Sequence, residues 1–336
     1  MPLAIRLTEY WVDDAPGERR AGLVEGGPIV EIHLQRELHW NLGETGAGRI
    51  DRKTPSGAYV ITDKSGEILI RRKVPQDEGA RVGFEISREA ICEPGRAKPA
   101  EARLLDEIPS AELDRGGLWD ARLNGLRELP QRNADISAAF DIAIAGASQL
   151  GEATISFQRT KAGLVFDIDG IGDALAINLV AAREIARLLR LYQVGGMVLI
   201  DFVAVESKEA RQSIAEAFDA AAALDQRPFE RTAVNGFGLM QVVRARPRPS
   251  VLDQLFGTRI AALSDETQAL WLLRDAARSS GFGTRTVTAS AGVATLLFSQ
   301  PWAGLRASCE RQMGASLSIV AGDSLTGYGN VHVAQS

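Results

Sequence analysis

Residues 163–202 read GLVFDIDGIGDALAINLVAAREIARLLRLYQVGGMVLIDF, a pattern that predicts a strand, a helix and a second strand. Asp167 and Asp169 alternate with apolar residues, so their side chains are expected on one face of the first strand. Asp201 directly follows the apolar run of the second strand. A right-handed crossover of this length joins two parallel strands, which then end at the same edge of the sheet. Ligands of open α/β sheets bind outside that edge, where the three aspartates are expected to converge.

These aspartates are candidate ligands for magnesium, which prefers carboxylate oxygens and keeps several waters. Simpler explanations stay open, because aspartates that follow strands are often helix N-caps or turn residues. Asp173 is the expected N-cap of the helix, and Asp169 begins a glycine-rich turn. Asp201 is harder to explain this way, since a carboxylate that ends a buried strand is costly unless it is paired or binds a metal. A phosphate-binding glycine loop is disfavoured, because GxGxxG and a Walker lysine are both missing.

Length and composition restrict the class of protein. The 336 residues are enough for two or three domains, and no apolar run approaches the roughly 20 residues of a membrane span. The start, MPLAIRLTEYWVDD, lacks a signal-peptide pattern, and the two cysteines have no metal-binding spacing, so a cytoplasmic location is expected. The net charge of −5 argues against an extended, non-specific nucleic-acid binder but leaves room for a local basic groove.

The segment 36–98 is predicted to form a small β-barrel of the OB type, because turn clusters recur within it at about ten-residue spacing. Tyr59 within a strand and Arg72 after the third strand are candidate contacts for single-stranded nucleic acid. An ordinary barrel tyrosine and a solvated basic run are the alternative interpretation. Alternating strands in residues 1–35, with a turn at 25–27, are expected to form an N-terminal domain with 99–150.

The later part of the chain is predicted to hold an α/β domain at 151–250, a linker at 251–263 and a small α+β domain at 264–336. The segment 230–250 is expected to be one more strand, with Arg244, Arg246 and Arg248 at alternate positions on one face. Such a row suits RNA phosphates. The alternative is an edge strand whose charges prevent aggregation.

Four segments together resemble the ribonuclease E/G endoribonucleases. They are FDIDG, INLVAAREIARLLRLYQVGGMVLIDF, GFGLMQVVRARPRPS and SDETQALWLLRDAA. The resemblance implies a multidomain α/β fold with an RNase-H-like N-terminal remnant, an inserted OB-fold barrel, a DNase-I-like catalytic domain and a small α+β domain.

The same resemblance implies roles for individual residues. Asp167 and Asp201 match the two aspartates that hold the catalytic magnesium, and Asp169 stands where the family usually has asparagine. Tyr59 falls where the family has a phenylalanine that stacks on RNA, and the second stacking position is occupied by Ile68. The remaining expected RNA contacts are Arg72, Lys98, Phe237, Arg244 and Arg246.

The chain also departs from the family pattern. The interval 250–263 has no cysteine, so a zinc-linked dimer is not expected, which leaves a monomer or a dimer through another interface. No counterpart of the family's 5′-monophosphate sensor is recognised between residues 104 and 151. The resulting hypothesis is a magnesium-dependent endoribonuclease, with manganese possible, that cleaves single-stranded RNA to 5′-phosphate and 3′-hydroxyl ends. The alternatives are a non-catalytic RNA-binding protein and a metal-stabilised structural protein.

Overall fold

The computed structural model describes residues 8–62, 64, 66–109, 123, 125–130, 133–322, 325 and 327–333. These residues form an N-terminal sheet, a closed barrel, a six-stranded sheet covered by helices, and a small C-terminal sheet with helices of its own.

The N-terminal sheet has the strand order β11-β1-β2-β3, in which β1, β2 and β3 are antiparallel and β11 is parallel to β1. Gly26 and Gly27 make the tight turn between β2 and β3 with positive φ angles of 63° and 114°, which glycine adopts without steric cost. The strands are β1 (Thr8–Ala15), β2 (Glu18–Glu25), β3 (Ile29–Arg36) and β11 (Arg127–Glu128).

The barrel closes through five strands in the order β10-β6-β5-β4-β7. Its last strand lies at residues 100–104, beyond the expected boundary at 98, because Ala100 and Ala102 turn into the barrel interior. A separate hairpin of β8 and β9 leaves the barrel toward the rest of the chain. The strands are β4 (Thr45–Thr54), β5 (Gly57–Ile61), β6 (Ile68–Ile70), β7 (Arg81–Arg88), β8 (Ile91–Glu93), β9 (Arg96–Lys98) and β10 (Ala100–Leu104).

The six-stranded sheet has the order β12-β13-β14-β15-β17-β16, and β14 and β15 form its parallel pair. The helix between them, α2, begins where the Asp173 carboxylate accepts hydrogen bonds from two backbone N–H groups, as expected for an N-cap. The expected single strand after residue 230 is instead a hairpin of two strands, because the segment around Asn235 forms a turn. The elements are α1 (Asn133–Ala145), β12 (Ala147–Leu150), β13 (Ala153–Arg159), β14 (Leu164–Gly170), α2 (Ala174–Leu191), β15 (Gly196–Asp201), α3 (Lys208–Ala222), β16 (Phe229–Arg231) and β17 (Leu239–Arg244).

One hydrophobic core joins the N-terminal sheet to the six-stranded sheet. It contains Trp11 and Ile32 from the first sheet together with Phe166 and Ile200 from the second, all less than 2% exposed. The expected linker also contributes to this core, since α4 (Val251–Phe256) is largely buried and begins with a capping box at Ser250.

The C-terminal unit packs three helices against the sheet β19-β18-β20. Pro301 lies in a short 3₁₀ turn that separates α6 from α7. Among the described residues, no helix is both long enough and apolar enough to cross a membrane. The elements are α5 (Asp265–Arg278), β18 (Arg285–Ala289), α6 (Ala291–Phe298), α7 (Ala303–Met313), β19 (Leu317–Ala321) and β20 (Asn330–Val333).

Candidate active site

Asp167, Asp169 and Asp201 lie at one edge of the six-stranded sheet, and we call this set the acidic rim. Asp167 and Asp201 are direct partners in the register of the parallel strands β14 and β15. Neighbouring strands lie about 4.8 Å apart, so these two aspartates are adjacent. Asp169 follows two residues later on the same face, and all three side chains are exposed.

The carboxylates of the acidic rim influence one another. Partial burial raises the pKa of Asp167, and the negative charges of Asp169 and Asp201 raise it further. A divalent cation at this edge would relieve that repulsion. Two adjacent carboxylates fit a hydrated magnesium ion, which commonly takes one or two protein carboxylates and retains waters. Within the described ranges, no group of three or more acidic, histidine or cysteine side chains is placed to hold a metal ion together.

Asn178 connects helix α2 to the end of strand β15. Its side chain is fully buried, donates to the Val203 carbonyl at 2.7 Å and accepts from the Val203 backbone N–H at 3.0 Å. These two bonds satisfy both backbone groups of a residue that lies two positions after Asp201. Asn178 therefore fixes the end of strand β15, which carries Asp201, to helix α2.

The sheet face that carries the acidic rim is open, whereas the opposite face is buried by helices. On the open face, strand β17 presents Gln241 and Val243 as exposed side chains. On the other face, Met240 and Val242 are fully buried in the shared core. An extended ligand therefore has access to the aspartates from the open face only.

Two exposed apolar side chains flank the acidic rim. Phe237 is 82% exposed, in the loop before β17, and Ile171 is 83% exposed, in the turn after β14. The Asn235 side chain accepts hydrogen bonds from the backbone N–H groups of Phe237 and Leu239, which fixes the loop. Leu239 in turn pairs with Asp201 across the strands, so Phe237 lies close to the acidic rim.

The structure corrects the expected row of arginines. Strand β17 ends at Arg244, whose side chain lies on the buried face, is 5% exposed and forms an ion pair with Asp225. Arg246, beyond the strand, pairs with Glu93 at 3.0 Å and with Asp253 at 2.9 Å. Arg244 therefore does not face the same ligand as the acidic rim.

Arg248 and Lys98 are also neutralised by carboxylates. Arg248 pairs with Glu89 at 3.2 Å, and Lys98 pairs with Glu93 at 2.5 Å. Each of these cations would have to exchange its carboxylate for a phosphate before it could bind RNA. They are weaker candidates for RNA contacts than their sequence positions indicate.

The barrel residues have mixed environments. The Tyr59 ring is half-buried, and the Arg52 guanidinium carbon lies 3.9 Å from its centroid, so one ring face is already covered. Arg72 is exposed. Ile68 is fully buried inside the barrel and therefore cannot occupy a surface stacking position. On this barrel, Tyr59 is stacked on a cation of its own chain.

Asn178, Asn235 and Ile171 were not identified from the sequence as parts of the site. The signal for Asn178 was a lone amide on the apolar side of a helix. Asn235 precedes a glycine in the segment VNGFG, which is a turn signal. Ile171 is an apolar residue between two glycines, where no regular element can bury it.

Comparison with known proteins agrees with this geometry. The profile of the Ribonuclease E/G family matches residues 157–247, which include the acidic rim, Asn178 and Phe237. Over 77 residues, the chain is 35% identical to Ribonuclease G of Escherichia coli strain K12, covering 22% of the chain and 15% of that protein. It is also 35% identical over 77 residues to a chloroplastic Ribonuclease E/G-like protein of Arabidopsis thaliana, covering 23% of the chain and 8% of that protein.

A third relative is Ribonuclease E of Haemophilus influenzae, 36% identical over 78 residues, which are 23% of the chain and 8% of that protein. The matches thus span a small part of each relative's length. The part of the chain that matches the family profile, residues 157–247, contains the two parallel strands, the helix α2 between them and the hairpin that build the acidic rim. Over residues 157–247 the chain is therefore similar to the ribonuclease E/G family.

Proposed function

We propose that this protein is a magnesium-dependent endoribonuclease that cleaves single-stranded RNA at the acidic rim. The observation that carries the proposal is the direct pairing of Asp167 with Asp201 on the open face of the sheet. The pKa of Asp167 is raised, first by partial burial and then by the negative charges of Asp169 and Asp201, and a cation bound between the carboxylates would offset both effects. The relatives' names, Ribonuclease G and Ribonuclease E, supply the substrate class.

Within this proposal each residue has a role that follows from its position. Asp167 and Asp201 hold magnesium, with manganese as a substitute, and Asp169 helps to orient a water at the same edge. A bound divalent ion would supply charge neutralisation at the scissile phosphate and a more acidic water. Phe237 offers a ring face to an unstacked base beside the aspartates.

The products follow from the direction of attack. Water that attacks the phosphorus and expels the 3′ oxygen leaves a 3′-hydroxyl on one fragment and a 5′-phosphate on the other. We extend this chemistry to the chain by family resemblance. On the same basis we propose that the barrel is an inserted OB-fold, that the catalytic domain is DNase-I-like and that the protein is cytoplasmic. Without a cysteine in 250–263, no zinc-linked dimer is proposed.

An end-group analysis tests the proposed chemistry. A fluorescent, AU-rich single-stranded RNA is incubated with the protein in magnesium, in manganese and in EDTA. We expect cleavage with either metal, none in EDTA, and downstream fragments that a 5′-monophosphate-dependent exonuclease degrades. Downstream fragments that resist this exonuclease because they begin with a 5′-hydroxyl, together with upstream fragments that end in 2′,3′-cyclic phosphates, would contradict the proposal, because both arise from attack by the ribose 2′-hydroxyl.

A non-catalytic RNA-binding protein is the second candidate function. It is favoured by the exposed ring of Phe237, which can stack on a base without any metal. In that case the protein would retain the fluorescent RNA with equal affinity in magnesium and in EDTA, and the RNA would stay intact.

A further inference from the structure

A cavity of about 290 Å³ lies between the N-terminal sheet, helix α1 and the C-terminal helix α5, and it shares no residue with the acidic rim. A volume of this size is at the lower end of the range for small-molecule sites. Its lining combines aromatic rings, arginines and carboxylates.

Three aromatic rings form one wall of the cavity. Phe140 and Trp271 are stacked with ring centroids 5.4 Å apart, and Tyr328 meets Trp271 edge to face at 5.2 Å. The Arg20 guanidinium lies over both Phe140 and Trp271, at 5.1 Å and 5.4 Å from their centroids. These three rings and the guanidinium plane of Arg20 form a wall against which a planar ligand can lie.

Buried polar groups without partners surround the same cavity. Among the residues that the structure describes, Nη2 of Arg20, Nε1 of Trp271 and Nε of Arg274 are buried and make no hydrogen bond. Burial and the nearby charge of Arg20 lower the pKa of Arg274 to about 10. Unsatisfied donors of this kind are costly, and in native proteins they often accompany a functional site.

The carboxylates of the cavity are available for a ligand. The Tyr328 hydroxyl donates to Oδ2 of Asp275 at 2.7 Å, which leaves Oδ1 free to accept another hydrogen bond. Asp141 is exposed at the cavity. Arg278 is about one-third exposed and pairs with Asp13 behind the cavity wall.

These features exclude simpler ligands. A cation would meet Arg20, which already covers the ring faces, and a bare anion would meet Asp141 and Asp275. A purely apolar ligand would bury charges without compensation. A planar ring that carries both acceptor atoms and amino donors meets these requirements, since it can lie against the aromatic wall, accept hydrogen bonds from the unpaired donors and donate to the carboxylates.

We propose that this cavity binds the base of a nucleotide that carries an amino group, with guanine preferred because its N1–H and N2–H₂ can donate side by side to one carboxylate. Arg278, which lines the cavity and is about one-third exposed, can contact the attached phosphate once it exchanges Asp13 for it. Uracil binds poorly, because it has no exocyclic amino group. The nucleotide is either free or part of single-stranded RNA.

Calorimetric titration with ribonucleoside 5′-monophosphates tests the cavity directly. All titrations contain EDTA, so the outcome does not depend on cleavage at the acidic rim. We expect GMP to bind at least about tenfold more tightly than UMP, the discrimination that one good base-edge contact gives. Asp275→Asn should abolish that preference. Saturation by neither nucleotide, or equal affinity for both, would overturn the proposal.

Two neighbouring substitutions on α1 provide a matched pair. Ser137 lines the cavity and Ala138 does not, and both side chains are exposed. Ser137→Trp should fill the cavity and weaken GMP binding at least about tenfold, whereas Ala138→Trp should leave it within about twofold. Equal affinities of the two variants, with unchanged circular dichroism and Tm, would place GMP elsewhere and overturn the assignment.

Two RNA heptamers distinguish the source of the base. UUUGUUU and UUUUUUU are compared by fluorescence anisotropy, again in EDTA. Tighter binding of UUUGUUU, lost in Ser137→Trp, assigns the cavity to RNA. If GMP binds but the two heptamers bind with equal affinity, the cavity is assigned to free nucleotides.

Discussion

The carboxylate of Asp201 is exposed at the end of a strand whose preceding residue, Ile200, is fully buried. Beside it lies Asp167, whose pKa is raised by partial burial and by the negative charges of Asp169 and Asp201. Nothing in the packing of the sheet requires two aspartates in register at this edge. At the scale of single residues, this arrangement is the observation on which the proposed cation site rests.

Phe237 is the residue that we expect to hold a base next to the acidic rim. Phe237→Ala should weaken binding of a single-stranded RNA about tenfold or more in EDTA, because stacking of a base on an aromatic ring contributes about 1–3 kcal/mol. Anisotropy titration of a labelled RNA measures the change. Phe282, which is 91% exposed in the C-terminal unit, provides the matched control Phe282→Ala. An equal loss in both variants would contradict a specific role for Phe237.

The strand, helix and second strand of 163–202 were predictable because each element has a strong local pattern. The alternation around Asp167 and the apolar repeat of α2 specify strand and helix within a few residues. The partners of the arginines were not predictable, because Asp225 and Glu93 lie 19 and 153 positions away from Arg244 and Arg246. The alternate spacing of the three arginines is visible in the sequence. The carboxylates that neutralise them are brought close only by the tertiary fold.

Asn178 links two elements, so its removal should affect both stability and activity. Asn178→Ala would leave the buried N–H and carbonyl of Val203 unsatisfied and should lower the free energy of unfolding by about 2–4 kcal/mol. Urea denaturation measures this change. Gln212→Ala, at an exposed position of α3, should change the free energy of unfolding by less than about 0.5 kcal/mol. A stability loss in Asn178→Ala no larger than in this control would contradict the bridging role.

At the scale of the whole molecule, ion pairs join the C-terminal unit to the N-terminal sheet. Arg274 of α5 donates to Asp13 of β1 at 2.6 Å, and Glu266 accepts from Arg36 at 3.0 Å and pairs with His39 at 2.5 Å. The sequence did not identify this interface, since its members are more than 200 positions apart. The sequence did indicate the barrel, but it did not indicate that the strand that closes the barrel begins at Ala100.

The Glu266 interactions predict acid sensitivity. Burial opposes ionisation of Glu266, but the charges of His39 and Arg36 outweigh it and lower the pKa from 4.5 to about 2. The stabilisation is complete above the unfolded pKa of 4.5 and is lost as the pH falls toward 2. Thermal melts should show Tm falling steeply below pH 4.5, and less steeply in Glu266→Gln. Glu216→Gln, on the exposed side of α3, is the control and should follow the wild type. Identical pH profiles for wild type and Glu266→Gln would contradict this account.

Cleavage of single-stranded RNA by Asp201→Asn tests the central claim most directly. The amide keeps the shape of the side chain but removes the charge that binds a metal, so binding of RNA in EDTA should persist. We expect cleavage in magnesium to fall at least about a hundredfold, a loss of roughly 2.7 kcal/mol of transition-state stabilisation. Asp77→Asn, an exposed aspartate of the barrel, should cleave at the wild-type rate. Wild-type cleavage by Asp201→Asn, or activity of the wild type that persists in EDTA, would contradict a metal-dependent nuclease at the acidic rim.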